Sequence, residues 1–297
     1  MKVFSGSSNQ SLAMLIAQKL DCQLAQVELS RFPNGEARVW IKEDKVNDTN
    51  IVVQSFSDPA DNHLIEFCLL IDAIRRLGAR QIMAVIPWMG YCIQDKIFRR
   101  GEPLSARVIA DIIQSTQVNA IITIDLHNET TLGFFSTPII HLSATPLFID
   151  FFKKKNQIDV IIAPDIGAVK ESGKVAQALN LPIATINKRR DLHTGKVEIL
   201  GIEGQVKGKK VLITDDFIST GSTLMQTAQF LQDRGAKSIV VAVTHHLFVP
   251  GVQEKLEASP IDELYISDTI VNQYPASKKL KIISVAEIIA TAIKNQI

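Results

Sequence analysis

An apolar run, two acids and a turn of small hydroxyl residues follow one another at residues 211–223, VLITDDFISTGST. Backbone amides in a glycine- and hydroxyl-rich turn that opens a helix converge on one small volume, and the helix dipole adds positive potential there. A phosphate monoester fits such a turn. Phe217, Ile218, Ser219, Thr220, Gly221, Ser222 and Thr223 form the candidate cradle, with hydroxyl donors from Ser and Thr and a glycine that lets the backbone come close. Asp215 and Asp216 are poor partners for that phosphate but suit the two vicinal hydroxyls of a ribose just beyond it. The plainer account makes DD a helix cap and STGST an ordinary polar turn. Two adjacent acids ending an apolar strand count against it.

Such a cradle needs a strand before it and a helix after it, and the chain supplies that order twice. Residues 51–86 run strand, polar loop, helix, glycine, strand, and residues 211–243 repeat the order, with RRLGARQIMAV matching QDRGAKSIVVA. Gly78 and Gly235 fall at equivalent points, where a left-handed cap would end each helix. The openings agree too: VFSGSSNQSLAMLIAQKL parallels IIAPDIGAVKESGKVAQALN. Short β-branched runs alternating with amphipathic stretches predict an α/β fold of two tandem domains, each a mainly parallel sheet flanked by helices. The boundary is expected near residues 143–158, giving domains at 1–145 and 146–297. ISVAEIIATAIKNQI predicts one terminal helix, a candidate to pack back on the N-terminal domain. In the first copy the stretch matching the cradle is SFSDPADNHL, without glycine and with a proline, so only the second domain should bind sugar phosphate.

Other chemistry-bearing residues stand at predicted strand ends. His127 follows the apolar run AIITIDL, with Asp125 two residues before it and on the same face if the strand continues. Asp165 follows VIIAP and suits a hard oxygen ligand for Mg²⁺ or, more plainly, a helix cap. Lys188, Arg189 and Arg190 lie beyond IATIN in the polar segment RRDLHTGKVE, predicted as a mobile loop that closes cations over a polyphosphate, or else a solvated basic turn. PNG at 33–35 is a turn signal.

Composition sets limits. The 297 residues exceed one usual domain, and 46% hydrophobic residues describe a globular chain. Basic and acidic residues number 32 and 31, a net charge of +1 that points to no nucleic acid partner. Cys22, Cys68 and Cys92 lack paired spacing and are expected as reduced thiols in a cytoplasmic protein. With no signal peptide and no membrane span expected, the chain is taken as soluble.

VLITDDFISTGSTL resembles the phosphoribosyl-diphosphate-binding motif of the type I phosphoribosyltransferase fold. That motif leaves open enzymes that consume phosphoribosyl diphosphate and enzymes that make it. RFPNGEARV at 31–39, PWMGYCIQDKIFRRGEPLSARVIAD at 87–111, IDLHNETTLGFF at 124–135, APDIGAV at 163–169 and NKRRD at 187–191 resemble ribose-phosphate diphosphokinases in the family's order. The likeness covers nearly the whole chain, and FRRGEPLSARVIAD with Ser219 looks closest to the archaeal-type branch. It implies pyrophosphoryl transfer from Mg-ATP to O1 of ribose 5-phosphate, giving phosphoribosyl diphosphate and AMP, with Mg²⁺ as cofactor. It also implies roles. Lys188, Arg190 and His127 would be catalytic, and His127 and Asp165 would serve the metal. Phe32, Asn34, Glu36, Gln94, Asp95 and Lys96 would bind the nucleotide. The segment with Phe32 crosses to a neighbouring subunit in the family, which implies a homo-oligomer, dimer-based and tetrameric or hexameric, with a shared adenine site. Where the family has an Arg this chain has Ile93, which keeps a catalytically weak or silent regulatory paralogue in play. A phosphoribosyltransferase is a further alternative.

Overall fold

The computed structural model describes residues 1–155, 157–190, 197–272, 274 and 277–296, with Arg190 and Val197 described by their backbone alone. In chain order the elements begin β1 (Lys2–Ser5), α1 (Gln10–Lys19), β2 (Val27–Arg31), β3 (Ala37–Ile41), β4 (Thr49–Val53), α2 (Ala60–Arg76), β5 (Gln81–Ile86), α3 (Ser105–Ser115), β6 (Ala120–Ile124) and β7 (Ile139–Leu142). They continue α4 (Thr145–Lys155), β8 (Val160–Ala163), α5 (Val169–Leu179), β9 (Ile183–Arg190), β10 (Val197–Glu203), β11 (Lys210–Ile218), α6 (Ser222–Asp233), β12 (Ser238–His246), α7 (Val252–Ala258), β13 (Glu263–Ser267), β14 (Leu280–Ile283) and α8 (Ala286–Lys294). The chain divides into two compact units: Met1–Ser143 with Asp268–Val271 and Ser284–Ile297, and Ala144–Ser267 with Asn272–Ile283.

The first unit holds a five-stranded parallel sheet ordered β1-β4-β5-β6-β7, and β2 and β3 form a separate antiparallel hairpin. The second holds seven strands ordered β10-β9-β8-β11-β12-β13-β14, parallel except for β10. Removing β9 and β10 leaves β8-β11-β12-β13-β14, which matches the first sheet strand for strand. Runs such as VIIA in β8 and IVVAV in β12 are buried along their length, as parallel strands covered on both faces must be. The first core gathers Phe4, Val52, Phe67, Ile71, Ile82 and Ile86.

Both predicted glycine caps are present. Gly78 has φ +93° and Gly235 φ +79°, conformations that only glycine adopts without strain. In each, the next residue bonds back five positions (Ala79 N to Ile74 O, Ala236 N to Leu231 O), the 6→1 bond of the Schellman arrangement.

Two expectations change. Lys188, Arg189 and Arg190 are not in a loop: β9 runs through them because antiparallel β10 pairs with them, Ile199 opposite Lys188 and Val197 opposite Arg190. Residues Asp191–Lys196 of the expected loop lie outside the described residues. Likewise β6 stops at Ile124, and Asp125 turns left-handed at φ +36°, so Asp125 and His127 do not share a strand face.

Candidate active site

The order of the second sheet reverses direction at β8: the chain steps from β8 to β9 on one side, then places β11 on the other. Open α/β sheets present a crevice at the carboxyl ends of strands at such a point. Here β8 pairs with β11 only as far as Ile162 opposite Ile213, and with β9 as far as Ala163 opposite Thr185. Both neighbours overrun β8. Their ends therefore carry Asp215 and Asp216 on one side and Lys188 on the other past the end of β8, where Asp165 follows.

The carboxylates crowd one another. Asp215 is open to solvent yet densely surrounded, and that enclosure, followed by the charges of Asp216 and Asp165, raises its pKa well above the usual carboxylate range. Asp215 Oδ1 accepts from Asp216 N at 3.0 Å, and Asp216 Oδ1 accepts from Phe217 N at 2.9 Å. Asp165 Oδ1 accepts from Ala168 N at 2.9 Å, so one oxygen braces the turn into α5. Lys188 is half-buried, and burial lowers its pKa against the opposing pull of Asp165 and Asp215. Its Nζ donates to Thr227 Oγ1 at 2.8 Å, and that hydroxyl donates to Thr223 O at 2.8 Å. The lysine is thereby tied to the helix that the hydroxyl-rich turn opens.

Gly221 is the N-cap of α6 at φ +68°, and no side chain caps the helix. A Cβ there would meet Val252, Met225 and Ile218 at 3.4–3.7 Å, ordinary contact distances. The protein itself therefore calls for glycine through its left-handed backbone, not through lack of space. Thr220 Oγ1 and Ser222 Oγ lie 3.2 Å apart, both on exposed residues, and Thr223 is exposed beside them; Ser219 is half-buried and Ile218 buried. Leu224, Ala228 and Leu231 face the core.

At the carboxyl end of the first sheet, side chains just past β4 and on α2 hold the turn after β1. Gln54 follows β4 and is fully buried; its Oε1 accepts from Ser8 N at 3.1 Å and Ser8 Oγ at 2.7 Å. Glu66 Oε1 accepts from Ser7 N at 2.6 Å. A Cβ on Gly6 would stand 2.1 Å from Gln54 Oε1.

The remaining candidates of the first unit form two groups. His127 is exposed just past β6. Beside it Asn128 donates to the Asp95 carboxylate and accepts from Thr130 N at 3.0 Å. Asp95 is 7% exposed at its side chain, with Lys96 Nζ 3.9 Å away and itself open to solvent. Gln94 is held by Ser105 Oγ and, through its carbonyl, by Ala106 N at 3.2 Å. His141 Nε2 accepts from Leu126 N at 2.9 Å, bracing the turn that carries His127. Ile93 is 38% exposed. The second group is the exposed tip of the β2–β3 hairpin. There Phe32 N donates to Glu36 O at 2.9 Å, Asn34 Oδ1 accepts from Glu36 N at 3.2 Å, and Arg38 lies 5.8 Å from the Phe32 ring centroid.

Sequence reasoning missed Thr227, Asn128 and His141. Thr227 carried a signal, a hydroxyl on the apolar stripe of α6 that Leu224 and Leu231 define. The other two had none, because their partners Asp95 and Leu126 are fixed by tertiary contact.

The donor set fits Mg²⁺. Asp165, Asp215 and Asp216 are hard oxygen donors whose mutual repulsion a divalent cation would relieve. Among the described residues no three His, Cys, Asp or Glu side chains form a metal cage.

A family model for the N-terminal domain of ribose phosphate pyrophosphokinase matches residues 1–116, and one for the phosphoribosyl synthetase-associated domain matches residues 193–297. The ribose-phosphate pyrophosphokinase of Caldanaerobacter subterraneus is 39% identical over 99% of this chain and 93% of its own length. That of Thermotoga maritima is 36% identical over 99% and 94%. The crystal structure of phosphoribosylpyrophosphate synthetase from Mycobacterium smegmatis superposes with a TM-score of 0.90 at 30% identity, covering 99% of this chain and 98% of that one. These relatives are bacterial, so the archaeal-type branch rests on its motif alone. The chain belongs to the ribose-phosphate pyrophosphokinase family.

Proposed function

We propose that the protein is a ribose-phosphate diphosphokinase that transfers the pyrophosphoryl group of Mg-ATP to ribose 5-phosphate. The observation that carries this reading is the convergence of Asp165, Lys188, Asp215 and Asp216 with the hydroxyl-rich turn at the carboxyl ends of β8, β9 and β11. The 217–223 turn takes the 5-phosphate, and Asp215 and Asp216 take the ribose hydroxyls, which orients O1. The bond from O1 to the β-phosphorus forms as O1 loses its hydroxyl proton to solvent, the bond from that phosphorus to the α,β-bridging oxygen breaks, and AMP leaves. Lys188 and Arg190 neutralise charge on the transferring group. Asp165 would hold Mg²⁺, which would offset phosphate charge, and His127 would serve the metal or the nucleotide phosphates. Gln94, Asp95, Lys96, Phe32, Asn34 and Glu36 serve the nucleotide. For Asp95 the buried carboxylate supports a bracing part, through Asn128, in that role.

In the first unit the stretch matching the cradle, residues 55–64, has no glycine and enters α2 through Pro59, which supports a single sugar-phosphate site per chain. The exposed Phe32 hairpin tip supports adenine binding across a subunit boundary in a dimer-based homo-oligomer. No helix among the described residues is long and apolar enough to cross a membrane, and a cytoplasmic location accords with that.

The test is AMP formation. Protein, ribose 5-phosphate, Mg²⁺ and ATP should yield AMP and phosphoribosyl diphosphate in equal amounts. Absence of AMP above background would defeat the reading. Ile93 favours one narrower alternative, a regulatory paralogue, which predicts no turnover alone and co-purification with an active homologue.

A further inference from the structure

The end of β12 carries a histidine that the proposed chemistry does not use. His246 stands opposite Ile218 in the β11–β12 ladder, level with the start of the hydroxyl-rich turn, and Leu247 N closes that ladder on Ile218 O at 2.9 Å. The chain then reverses through Phe248, whose φ of +49° is a left-handed conformation that a bulky L-residue rarely adopts. Phe248 N donates to His246 Nδ1 at 2.9 Å, and the two rings stack at 4.1 Å and 17°. Tyr274 flanks the other side, ring centroids 6.0 Å apart. Four residues on, Val252 opens α7, and its Cγ1 lies 3.4 Å from where a Cβ of Gly221 would stand. A short run of chain thus connects the imidazole to the underside of the turn.

The other ring nitrogen shows why this residue is a histidine. Because Nδ1 accepts, the neutral ring carries its proton on Nε2. Nε2 is buried and has no protein partner, a desolvated donor that weakens the fold. An apolar ring or a leucine would fill the space without that penalty. What they lack is the acceptor that holds Phe248. Burial also pushes the His246 pKa down to about 4, so the ring stays an acceptor at neutral pH.

We infer that His246 is a positioning residue for the sugar phosphate: its Nδ1 holds Phe248 left-handed, which sets Val252 beneath Gly221 and fixes the shape of the 217–223 turn. This rests on the assignment of that turn to the 5-phosphate. The experiment measures ribose 5-phosphate affinity by calorimetry, and KM for both substrates, in His246→Leu, His246→Asn and Gly221→Ala. His246→Leu should weaken ribose 5-phosphate binding about tenfold, or ~1.4 kcal/mol, while KM for ATP moves by less than about twofold. His246→Asn should recover much of the loss, because Asn Oδ1 can accept an N–H two residues on, as in an Asx turn. Unchanged sugar-phosphate affinity in His246→Leu, an equal rise in KM for ATP, or no rescue by asparagine would overturn the role. Unchanged affinity in Gly221→Ala would overturn the assignment of the turn and this inference with it, whereas a weakened Gly221→Ala beside an unaffected His246→Leu sinks the histidine's role alone. Should His246→Leu fail to fold, a Phe248→Gly background decides: glycine needs no acceptor there, so His246→Asn and Phe248→Gly together should bind no more weakly than Phe248→Gly alone, and an additive loss refutes the inference.

Discussion

Replacing Lys188 by alanine tests the charge side of the site most directly. The ammonium is half-buried, where burial lowers its pKa from the ordinary lysine value while Asp165 and Asp215 act to keep it charged. A cation in such surroundings interacts with developing phosphate charge more strongly than one in bulk water. Loss of one donor to a developing negative charge costs about 2.7–4 kcal/mol, or roughly 10²–10³ in kcat. The structural cost is smaller. Lys188→Ala removes one hydrogen bond, to Thr227 Oγ1 at 2.8 Å, and Thr227 keeps its own bond to Thr223 O. Folding stability should therefore fall by only about 1 kcal/mol, and the turn should keep its ribose 5-phosphate affinity within about twofold. Rapid-quench measurement of AMP from labelled ATP, with calorimetric titration of ribose 5-phosphate, separates the two effects. A kcat within about tenfold of wild type, or a sugar-phosphate Kd that rises in step with the loss of turnover, would refute the reasoning. The pH profile gives a second check. A depressed lysine pKa means the active cation is lost below the pH at which an ordinary lysine titrates, so Lys188→Arg should move the alkaline limb of kcat upward.

Three further outcomes follow from the same geometry. If Asp215 and Asp216 hold the ribose hydroxyls, Asp216→Asn should narrow the discrimination against 2-deoxyribose 5-phosphate by about 1.5–3 kcal/mol, read as the ratio of kcat/KM for the two sugars. Asn128→Ala removes the partner of the buried Asp95 carboxylate, so KM for ATP should rise by about 1–3 kcal/mol's worth with ribose 5-phosphate affinity unchanged. At Glu263 burial alone would raise the pKa, but hydrogen bonds from Lys155, Lys281, Tyr265 and Lys210 outweigh it and hold the carboxyl well below its usual 4.5. A folded-state pKa below the unfolded one gives stability that is fully present above about pH 4.5 and is lost as pH falls from there. Glu263→Gln should lower stability at pH 7 by about 2 kcal/mol and flatten the acid side of a stability-versus-pH curve; an unchanged acid slope would count against it.

The parts of this protein that its sequence by itself determined are those governed by neighbours along the chain. Alternation of β-branched runs and amphipathic stretches is a local periodicity, so the duplicated strand–helix–strand order was legible. Gly78 and Gly235 were legible too, because a left-handed cap is a demand on one residue's own backbone. The acids and hydroxyls of residues 215–223 stood together in the chain, so their chemistry could be read before their placement was known.

Tertiary structure decided everything that depends on residues distant in sequence. Lys188 lies on a strand because β10 hydrogen-bonds to it, and a polar segment without apolar spacing carries no sign of that pairing. Asp165, Lys188 and Asp215 meet because β8 ends short between β9 and β11, a matter of strand order and register. Gln54 and Glu66 hold the turn after β1 through bonds to Ser8 and Ser7, 46 and 59 positions away. Propensity acts within a few residues, whereas strand order and side-chain pairing are settled by which buried surfaces and hydrogen-bonding groups must be satisfied at once.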